Sequence, residues 1–356
     1  MPLNLSQDTR SWEFCHESMT ASPTGNYSYY LGRDCVVGLS GPQGRKTFFE
    51  SRDLDLDQGV GLFFPISSAV ERASDQSAET HGSHLKTALR TALLRTEALE
   101  SVPTATLACT NSIWKHIAAQ DLIDPFQELS WLYAQSSLAA LGMEKVAQSP
   151  GLLRKVVMVV QFVAQATAPA ITSWLLMGLA TDAHWMARVR LEVDQVLIKY
   201  RKKGQSVEQV LQTLDLHVWE HEFPLLDACF LETIRTRGVL LPVRKNISQT
   251  DTPIGDTGEV IPVGAYVTYH ADEEHMNPEI YPDPQRWDLG RFLSDRAEHR
   301  KELMGYIGFG VGRRACRKLM SPRNGPSSNT GMHVYSGTKI GENPKFHVRG
   351  EVYRDV

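Results

Sequence analysis

The sequence predicts a mainly helical protein with a small β region. From about residue 84 to residue 200, apolar residues recur at spacings of three and four, which is the period of helices with one buried face. Residues 239–270 instead contain short apolar runs that Pro and Gly interrupt, a pattern typical of short strands joined by turns. A chain of 356 residues is long enough for one large domain or two smaller ones, each with a buried core.

The individual elements follow in order along the chain. Residues 27–39 predict a strand or a short hairpin, and residues 275–295 predict a loop rich in Pro and aromatic side chains. Residues 319–356 are full of turn formers and lack an apolar period, so they predict an atypical turn-rich tail. The segments with a helical pattern are 85–99, 125–142, 156–181, 184–203 and 223–237.

Composition and charge exclude several classes of protein. With 42% hydrophobic and 22% charged residues, the chain resembles an ordinary globular protein. A net charge of -4 gives no general attraction for nucleic acid or anionic lipid, so no nucleic-acid partner is predicted. The five cysteines are scattered and show no Cys-x-x-Cys spacing, which argues against a disulfide framework or a structural zinc site and fits a reducing compartment.

One segment raises the question of a membrane span. The 26 residues from Val156 to Thr181 carry no charge and are long enough to cross a bilayer. However, Gln161, Gln165 and Pro169 make the segment polar for a span, and a helix buried in a large domain has the same pattern. The buried helix is the favoured interpretation. The N-terminus shows neither a signal peptide nor a membrane anchor.

The loop that ends at Cys316 is the most specific stretch of the chain. Gly310 and Gly312 permit a tight turn where a Cβ atom would clash. Arg314 favours a thiolate at Cys316 and is suited to pair with a carboxylate of a cofactor, while Phe309 is placed to cover the sulfur. These features are those of a thiolate that ligates iron.

Three other interpretations of this loop stay open on the residues alone. The spacing of the glycines also occurs in phosphate-binding loops, although no clear strand precedes it here. A lone cysteine is often a small buried apolar residue. Arg313 and Arg314 also fit a solvated basic pair.

Phe309-x-x-Gly312-x-Arg314-x-Cys316 resembles the haem-binding loop of the cytochrome P450 superfamily. Glu232 and Arg235 have the Glu-x-x-Arg spacing of that family, which places both charges on one helix face. By itself such a pair is common on helix surfaces, but the apolar residues around this one indicate that it faces inward. The family completes a structural triad with a residue of a downstream aromatic loop, and Arg291 occupies that position.

Further elements match the family in the same order. Arg244 resembles the strand arginine that contacts a haem propionate, and residues 261–270 are similar to the family's Ile-Pro-x-Gly-x-x-Val strand. The resemblance is good over residues 155–318 and loose over 27–150, and it is strongest to fungal microsomal members. We therefore predict a cytochrome P450-like domain at 1–318 and a separate tail at 319–356.

The resemblance implies a haem-thiolate monooxygenase with Cys316 as the iron ligand. Arg244, Arg314, Phe309, Gly310 and Gly312 would be its further cofactor-binding residues. Its partners would be NADPH–cytochrome P450 reductase and a small lipophilic substrate, with secondary metabolism as the suggested context. The family suggests the endoplasmic reticulum membrane as a location. Because no N-terminal anchor is predicted, the sequence assigns no location.

The distal helix departs from the family's Ala-Gly-x-Asp/Glu-Thr signature, whose acid and alcohol deliver protons during oxygen activation. With Ser173 and Trp174 as the anchor, Thr167 takes the acid position and Ala168 the alcohol position. A shift by one residue would return Thr167 to the alcohol position, and both registers stay open. Thr167 and Gln165 are the candidate catalytic residues because each can order a water molecule.

Other departures suggest a fold that is incomplete at the N-terminus, in the lid region and at the C-terminus. Lys318 stands where the family has Gly, and the helix expected after it is replaced by the tail. Two alternatives to the monooxygenase follow: a non-catalytic remnant or mis-spliced product, and a peroxide-driven or rearranging haem-thiolate enzyme.

Several polar residues have no clear functional pattern. His84, Lys86 and Arg90 are candidates for contacts at the haem rim, with a solvated helix face as the equal alternative. His270 and His275 lack the spacing of metal ligands, so we interpret them as polar loop residues.

Overall fold

The computed structural model describes most of the chain up to the start of the cysteine loop. The described residues are 9–60, 62, 103–104, 106–111, 113, 117, 119–120, 123–140, 144–149, 151–153, 167–238 and 242–311. Within them the helices are Thr9–Ala21, Gly41–Glu50, Leu56–Val60, Pro125–Ala140, Glu144–Ala147, Thr167–Thr181, Ala183–Tyr200, Val207–Thr213, Leu216–His221, Pro224–Arg237 and Asp272–His275, and two 3-10 helices are Leu289–Phe292 and Glu298–Arg300. The strands are β1 (Tyr27–Leu31), β2 (Asp34–Leu39), β3 (Leu54–Asp55), β4 (Val243–Asn246), β5 (Thr252–Pro253), β6 (Val260–Ile261) and β7 (Tyr266–Tyr269).

The chain divides into two compact units. The first comprises residues 1–86, 234–286 and 297–321, and the second comprises 87–233, 287–296 and 322–356. All seven described strands belong to the first unit, and the long described helices 125–140, 167–181 and 183–200 belong to the second.

The first unit is built on a five-stranded mixed sheet. Its strand order is β1-β2-β7-β4-β3, and a separate antiparallel pair is formed by β5 and β6. Strands β2 and β7 pair in parallel, while the other neighbours in the five-stranded sheet are antiparallel. Apolar side chains of β2 and β7 pack against Phe48 and Phe49 of the helix Gly41–Glu50, and Ile307 joins the same core. This core therefore includes the segment that leads into the cysteine loop.

In the second unit, the helix Thr167–Thr181 packs against Pro125–Ala140. The two helices share a buried polar contact, 2.7 Å between Tyr133 Oη and Thr172 Oγ1. Thr172 donates its one hydroxyl proton to the carbonyl oxygen of Ala168 at 3.0 Å, so Tyr133 is the donor to Thr172. Thr172, a polar residue of the uncharged segment, thus has its hydrogen-bond partners inside the protein.

The helix Pro224–Arg237 begins at a carboxylate from another helix. Glu192 of Ala183–Tyr200 accepts hydrogen bonds from the backbone N–H of Leu225 at 2.7 Å and of Leu226 at 3.2 Å. These N–H groups have no partner within their own helix, so Glu192 serves as a cap supplied from outside. At the other end, Gly238 N–H donates to Ile234 O at 2.8 Å.

The structure confirms the predicted fold class, mainly helical with a small sheet. The predicted hairpin at 27–39, the short strands within 239–270 and the helix at 223–237 are all present. Of the uncharged segment, only residues 167–181 are described, and they form a helix. None of the described helices is long and apolar enough to cross a membrane. The predicted tail at 319–356 and residues 84–90 lie outside the described residues, so the domain boundary at 318 stays a prediction.

Asp227, in the first turn of the helix Pro224–Arg237, should make the protein less stable as pH rises. Burial, together with the nearby carboxylates of Glu192 and Glu220, raises the pKa of Asp227 to about 8 from 3.8. The folded state therefore keeps a proton that the unfolded state loses above pH 3.8, and stability falls between pH 4 and pH 8. Asp227→Asn cannot ionise, so thermal unfolding should show a flatter pH profile and a higher Tm at pH 8.

The matched control is Glu222→Gln. Lys199 lowers the pKa of Glu222, so this substitution should leave the decline between pH 4 and pH 8 in place. Equal slopes for Asp227→Asn and the unchanged protein would contradict the assignment of this decline to Asp227.

Candidate functional site

The chain enters the cysteine loop through a tight turn. Gly310 has a φ of +70°, in the left-handed region that favours glycine, and its N–H donates to Ile307 O at 2.7 Å. The ring of the half-buried Phe309 lies 6.3 Å from that of Tyr306. Gly312, Arg314 and Cys316 lie outside the described residues, so their roles stay predictions.

This turn packs directly on the helix Pro224–Arg237. A Cβ atom at Gly308 would lie 2.5 Å from Ile234 Cγ2 and 2.5 Å from the hydroxyl of Tyr306. Any side chain at position 308 would therefore push the loop away from the helix. The close approach places the start of the cysteine loop against the turn of the helix that carries Arg235.

Glu232 and Arg291, which the sequence assigns to a structural triad, lie together. Glu232 is 0% exposed and Arg291 is 1% exposed. The Arg291 Nε atom lies 3.4 Å from Glu232 Oε1, and the same oxygen accepts a hydrogen bond from Asp288 N–H at 2.9 Å. Trp287 Nε1 donates to Thr233 Oγ1 at 3.1 Å. These bonds attach the segment around residues 287–291 to the helix.

Arg235, the third predicted triad residue, is also 0% exposed. Its Nη1 donates to His275 O at 2.6 Å, and its Nη2 lies 3.4 Å from Arg286 O. Its guanidinium also packs over the ring of Tyr281, 4.8 Å from the centroid. The charge is thus surrounded by carbonyl oxygens and an aromatic face, which are suitable partners for a buried cation.

Arg244 is held in the sheet unit. It lies on β4, is 3% exposed, and its guanidinium is 4.7 Å from the ring centroid of Phe48 and 5.7 Å from that of Phe49. Its Nη1 also lies 3.5 Å from Phe49 O. Because arginine is charged at every physiological pH, this strand carries a permanent buried cation.

The candidate distal residues are only partly described. Gln165 lies outside the described residues, and Thr167 is the first described residue of the helix Thr167–Thr181, with no description of its side chain. Ser173 Oγ donates to Pro169 O at 2.8 Å in the next turn. The register of Thr167 relative to the family signature stays open.

The interpretation of His275 as a polar loop residue is wrong. His275 ends the short helix Asp272–His275, is 0% exposed, and accepts a hydrogen bond from Ile307 N–H at its Nε2 atom, 3.1 Å away. The neighbouring Glu274 forms a buried ion pair with Arg45, which sequence reasoning also missed. Both contacts join residues far apart in the chain, which no local periodicity signals. His270 is also largely removed from water, and burial lowers its pKa to about 4.

A sequence profile described as Cytochrome P450 matches residues 140–317, half of the chain. The chain belongs to the cytochrome P450 superfamily. It is 28% identical to the cytochrome P450 monooxygenase AacuE of Aspergillus aculeatus, with 86% of this chain and 78% of the relative aligned. It is 24% identical to the cytochrome P450 monooxygenase nsrP of Aspergillus novofumigatus, with 88% and 76% aligned.

Solved P450 structures show the same fold. Retinoic acid-bound cyanobacterial CYP120A1 superposes with a TM-score of 0.62 at 16% identity, over 88% of this P450 and 84% of that chain. The alignment with AacuE extends over 391 residues, more than the 356 residues of this chain. The relative therefore contains residues, within the aligned region, that have no counterpart in this P450.

The residues present fit a haem group. The candidate donor in the sequence is Cys316, which follows a glycine-rich run, and a cysteine thiolate is a known ligand of haem in P450 proteins. The described entry to that loop packs on the helix Pro224–Arg237 at Gly308 and has a left-handed conformation at Gly310, which suits a tight glycine-rich turn. Arg244 supplies a buried cation that suits a propionate.

The Glu232–Arg291 pair should be essential to the stability of this P450. Arg291→Ala removes the contact of Arg291 with the buried carboxylate of Glu232 and should lower the free energy of unfolding by about 3–5 kcal/mol. Replacing both residues, as Glu232→Gln with Arg291→Met, should cost less than the sum of the single changes. Denaturant unfolding of the unchanged protein, Glu232→Gln, Arg291→Met and the double variant measures this coupling.

The exposed pair Arg296–Asp288 offers the matched control. Its atoms are 2.6 Å apart, but the Arg296 side chain is 37% exposed. Arg296→Ala should therefore cost less than about 1 kcal/mol. Similar losses for Arg291→Ala and Arg296→Ala would contradict a special role for the buried pair.

Proposed function

We propose that the chain is a haem-thiolate monooxygenase that oxidises a small lipophilic substrate in secondary metabolism. The observation that carries the proposal is the family match, which extends to residue 317 and so includes the whole loop from Phe309 to Cys316. Fungal relatives that align with 86% and 88% of the chain are P450 monooxygenases by name, which supports the reaction class.

Haem, when bound, supplies the oxidising chemistry, and thiolate ligation favours O–O cleavage. The residues of this chain hold the group in place. Cys316 Sγ binds the iron, and Arg314 keeps that sulfur deprotonated. Arg244 and Arg314 neutralise the propionates, while Phe309 restricts the access of water to the sulfur.

Glu232, Arg235 and Arg291 have a structural role in this proposal. All three side chains are buried. Their contacts attach residues 275–291, which precede the cysteine loop in sequence, to the helix Pro224–Arg237. NADPH–cytochrome P450 reductase is the proposed electron donor, as the relatedness to fungal monooxygenases implies in general.

The carbon monoxide difference spectrum of the purified, haem-supplied and reduced protein tests the ligand. A red-shifted thiolate-type Soret band is expected, and Cys316→Ser should abolish it because an alcohol does not replace the thiolate. Cys35→Ser, which changes another free cysteine, is the control and should keep the band. No haem uptake, or an unshifted band in the unchanged protein, would contradict the proposal.

Thr167 and Gln165 are the proposed distal residues, which order water and pass protons through it. Thr167→Ala should lower product formed per NADPH consumed by about 100-fold, the lower range for loss of a proton-transfer group. Thr167→Ser retains the hydroxyl and should remain close to the unchanged protein. Unaltered coupling in Thr167→Ala would remove Thr167 from this role.

Two other candidate functions rest on specific observations. Lys318 in place of Gly, together with the residues that AacuE has and this chain lacks, favours a non-catalytic remnant or mis-spliced product. Ala168 at the alcohol position, in one register of the distal helix, favours a peroxide-driven or rearranging enzyme. Turnover with hydrogen peroxide but none with NADPH and reductase would select the peroxide-driven enzyme, and a haem-free protein would select the remnant.

A further inference from the structure

Two buried side chains bind the backbone just ahead of the cysteine loop. Tyr281 Oη donates to Gly305 O at 3.0 Å, and Ile307 N–H donates to His275 Nε2 at 3.1 Å. Both side chains are 0% exposed. The segment 305–307 is therefore held at two positions, one through a carbonyl oxygen and one through an N–H group.

Arg235 contacts both of these residues. Its Nη1 donates to His275 O at 2.6 Å, and its guanidinium lies 4.8 Å from the centroid of the Tyr281 ring. One buried arginine thus fixes the backbone of His275 and the ring of Tyr281, and these two residues in turn bind the segment 305–307. All of these contacts lie within the first compact unit.

The imidazole of His275 is suited to this contact by its protonation state. Because Ile307 N–H is the donor, Nε2 must be unprotonated, and burial lowers the pKa of His275 to about 3. The ring also stacks on Tyr306, with centroids 5.1 Å apart and an angle of 23° between the planes. Nδ1 is buried and has no hydrogen-bond partner among the described residues, a cost that a residue of purely apolar packing would avoid.

We propose that His275 and Tyr281 are positioning residues for the axial thiolate, through which Arg235 sets the place where the cysteine loop begins. Cys316 follows Ile307 by nine residues, and the intervening turn at Gly308–Gly310 is packed against the helix of Arg235. Under this proposal, a displacement of residues 305–307 shifts the start of the loop that carries Cys316. This inference rests on the proposed haem-thiolate function and adds two residues that the sequence motifs do not contain.

Substitutions that separate the ring from the hydrogen bond test the role of His275. His275→Phe keeps an aromatic ring against Tyr306 but cannot accept from Ile307, whereas His275→Gln supplies an amide oxygen as acceptor. In the carbon monoxide difference spectrum, His275→Phe should convert most of the thiolate-type band to the unshifted band, and His275→Gln should retain it. Tyr281→Phe keeps the ring beneath Arg235, loses the bond to Gly305 and should show an intermediate loss.

Amide hydrogen exchange in the haem-free protein gives a readout that does not depend on the cofactor. Exchange of the Ile307 amide should accelerate about five- to tenfold in His275→Phe and little in His275→Gln, since one hydrogen bond of ordinary strength is lost. Val36→Ala serves as the control, because Val36 is 0% exposed in a different core cluster of the same unit. It should lower Tm but keep the thiolate-type band.

The outcomes separate this inference from the proposed function. An unchanged protein without the thiolate-type band overturns the haem-thiolate function. A normal band in the unchanged protein together with a normal band in His275→Phe and Tyr281→Phe overturns only the positioning role. An equal loss of the band in Val36→Ala would show that general destabilisation, and not the contact with Ile307, is responsible.

Discussion

The burial of three charged side chains around one helix is the constraint on which the rest of this structure depends. Glu232 and Arg235 are 0% exposed and Arg291 is 1% exposed. Charges removed from water in this way destabilise a fold by several kcal/mol unless each finds a charged or hydrogen-bonding partner. The segments that supply those partners, from His275 to Arg291, must therefore fold back onto the helix Pro224–Arg237. The loop residues between His275 and Arg291 are ordered because they supply hydrogen bonds and charge to these buried side chains.

The same helix is electrostatically matched at both ends. Its last turn carries Arg235 and Arg237, the sign of charge that the C-terminus of a helix dipole favours. Glu192 completes the N-terminus from another helix, at N–H groups that would otherwise lack partners. Burial nevertheless raises the pKa of Glu192 to about 7, so desolvation outweighs the stabilisation by two backbone hydrogen bonds.

Local patterns predicted the elements of this fold but not the contacts between distant ones. The helix at 223–237 and the hairpin at 27–39 were predictable because their apolar periods and turn residues lie within short windows. The sequence around His275 predicts a loop residue because its hydrogen-bond partner, Ile307, lies 32 residues further on. The ion pair of Arg45 with Glu274 joins two short helices that are even further apart in sequence. The motifs identified Glu232, Arg235 and Arg291, whereas the side chains that connect Arg235 to the cysteine loop have no motif of their own.

The parallel pairing of β2 with β7 also constrains how the protein is made. Val36–Leu39 pairs with Tyr266–Tyr269, so the central ladder of the sheet closes only after the ribosome has synthesised more than two hundred intervening residues. Those residues include the long helices, whose contacts are local and form fast. Until then β1 and β2 exist as an isolated hairpin, which is only marginally stable in water, with an open and apolar edge. The order of synthesis thus leaves one edge of β2 without its partner until β7 has been made.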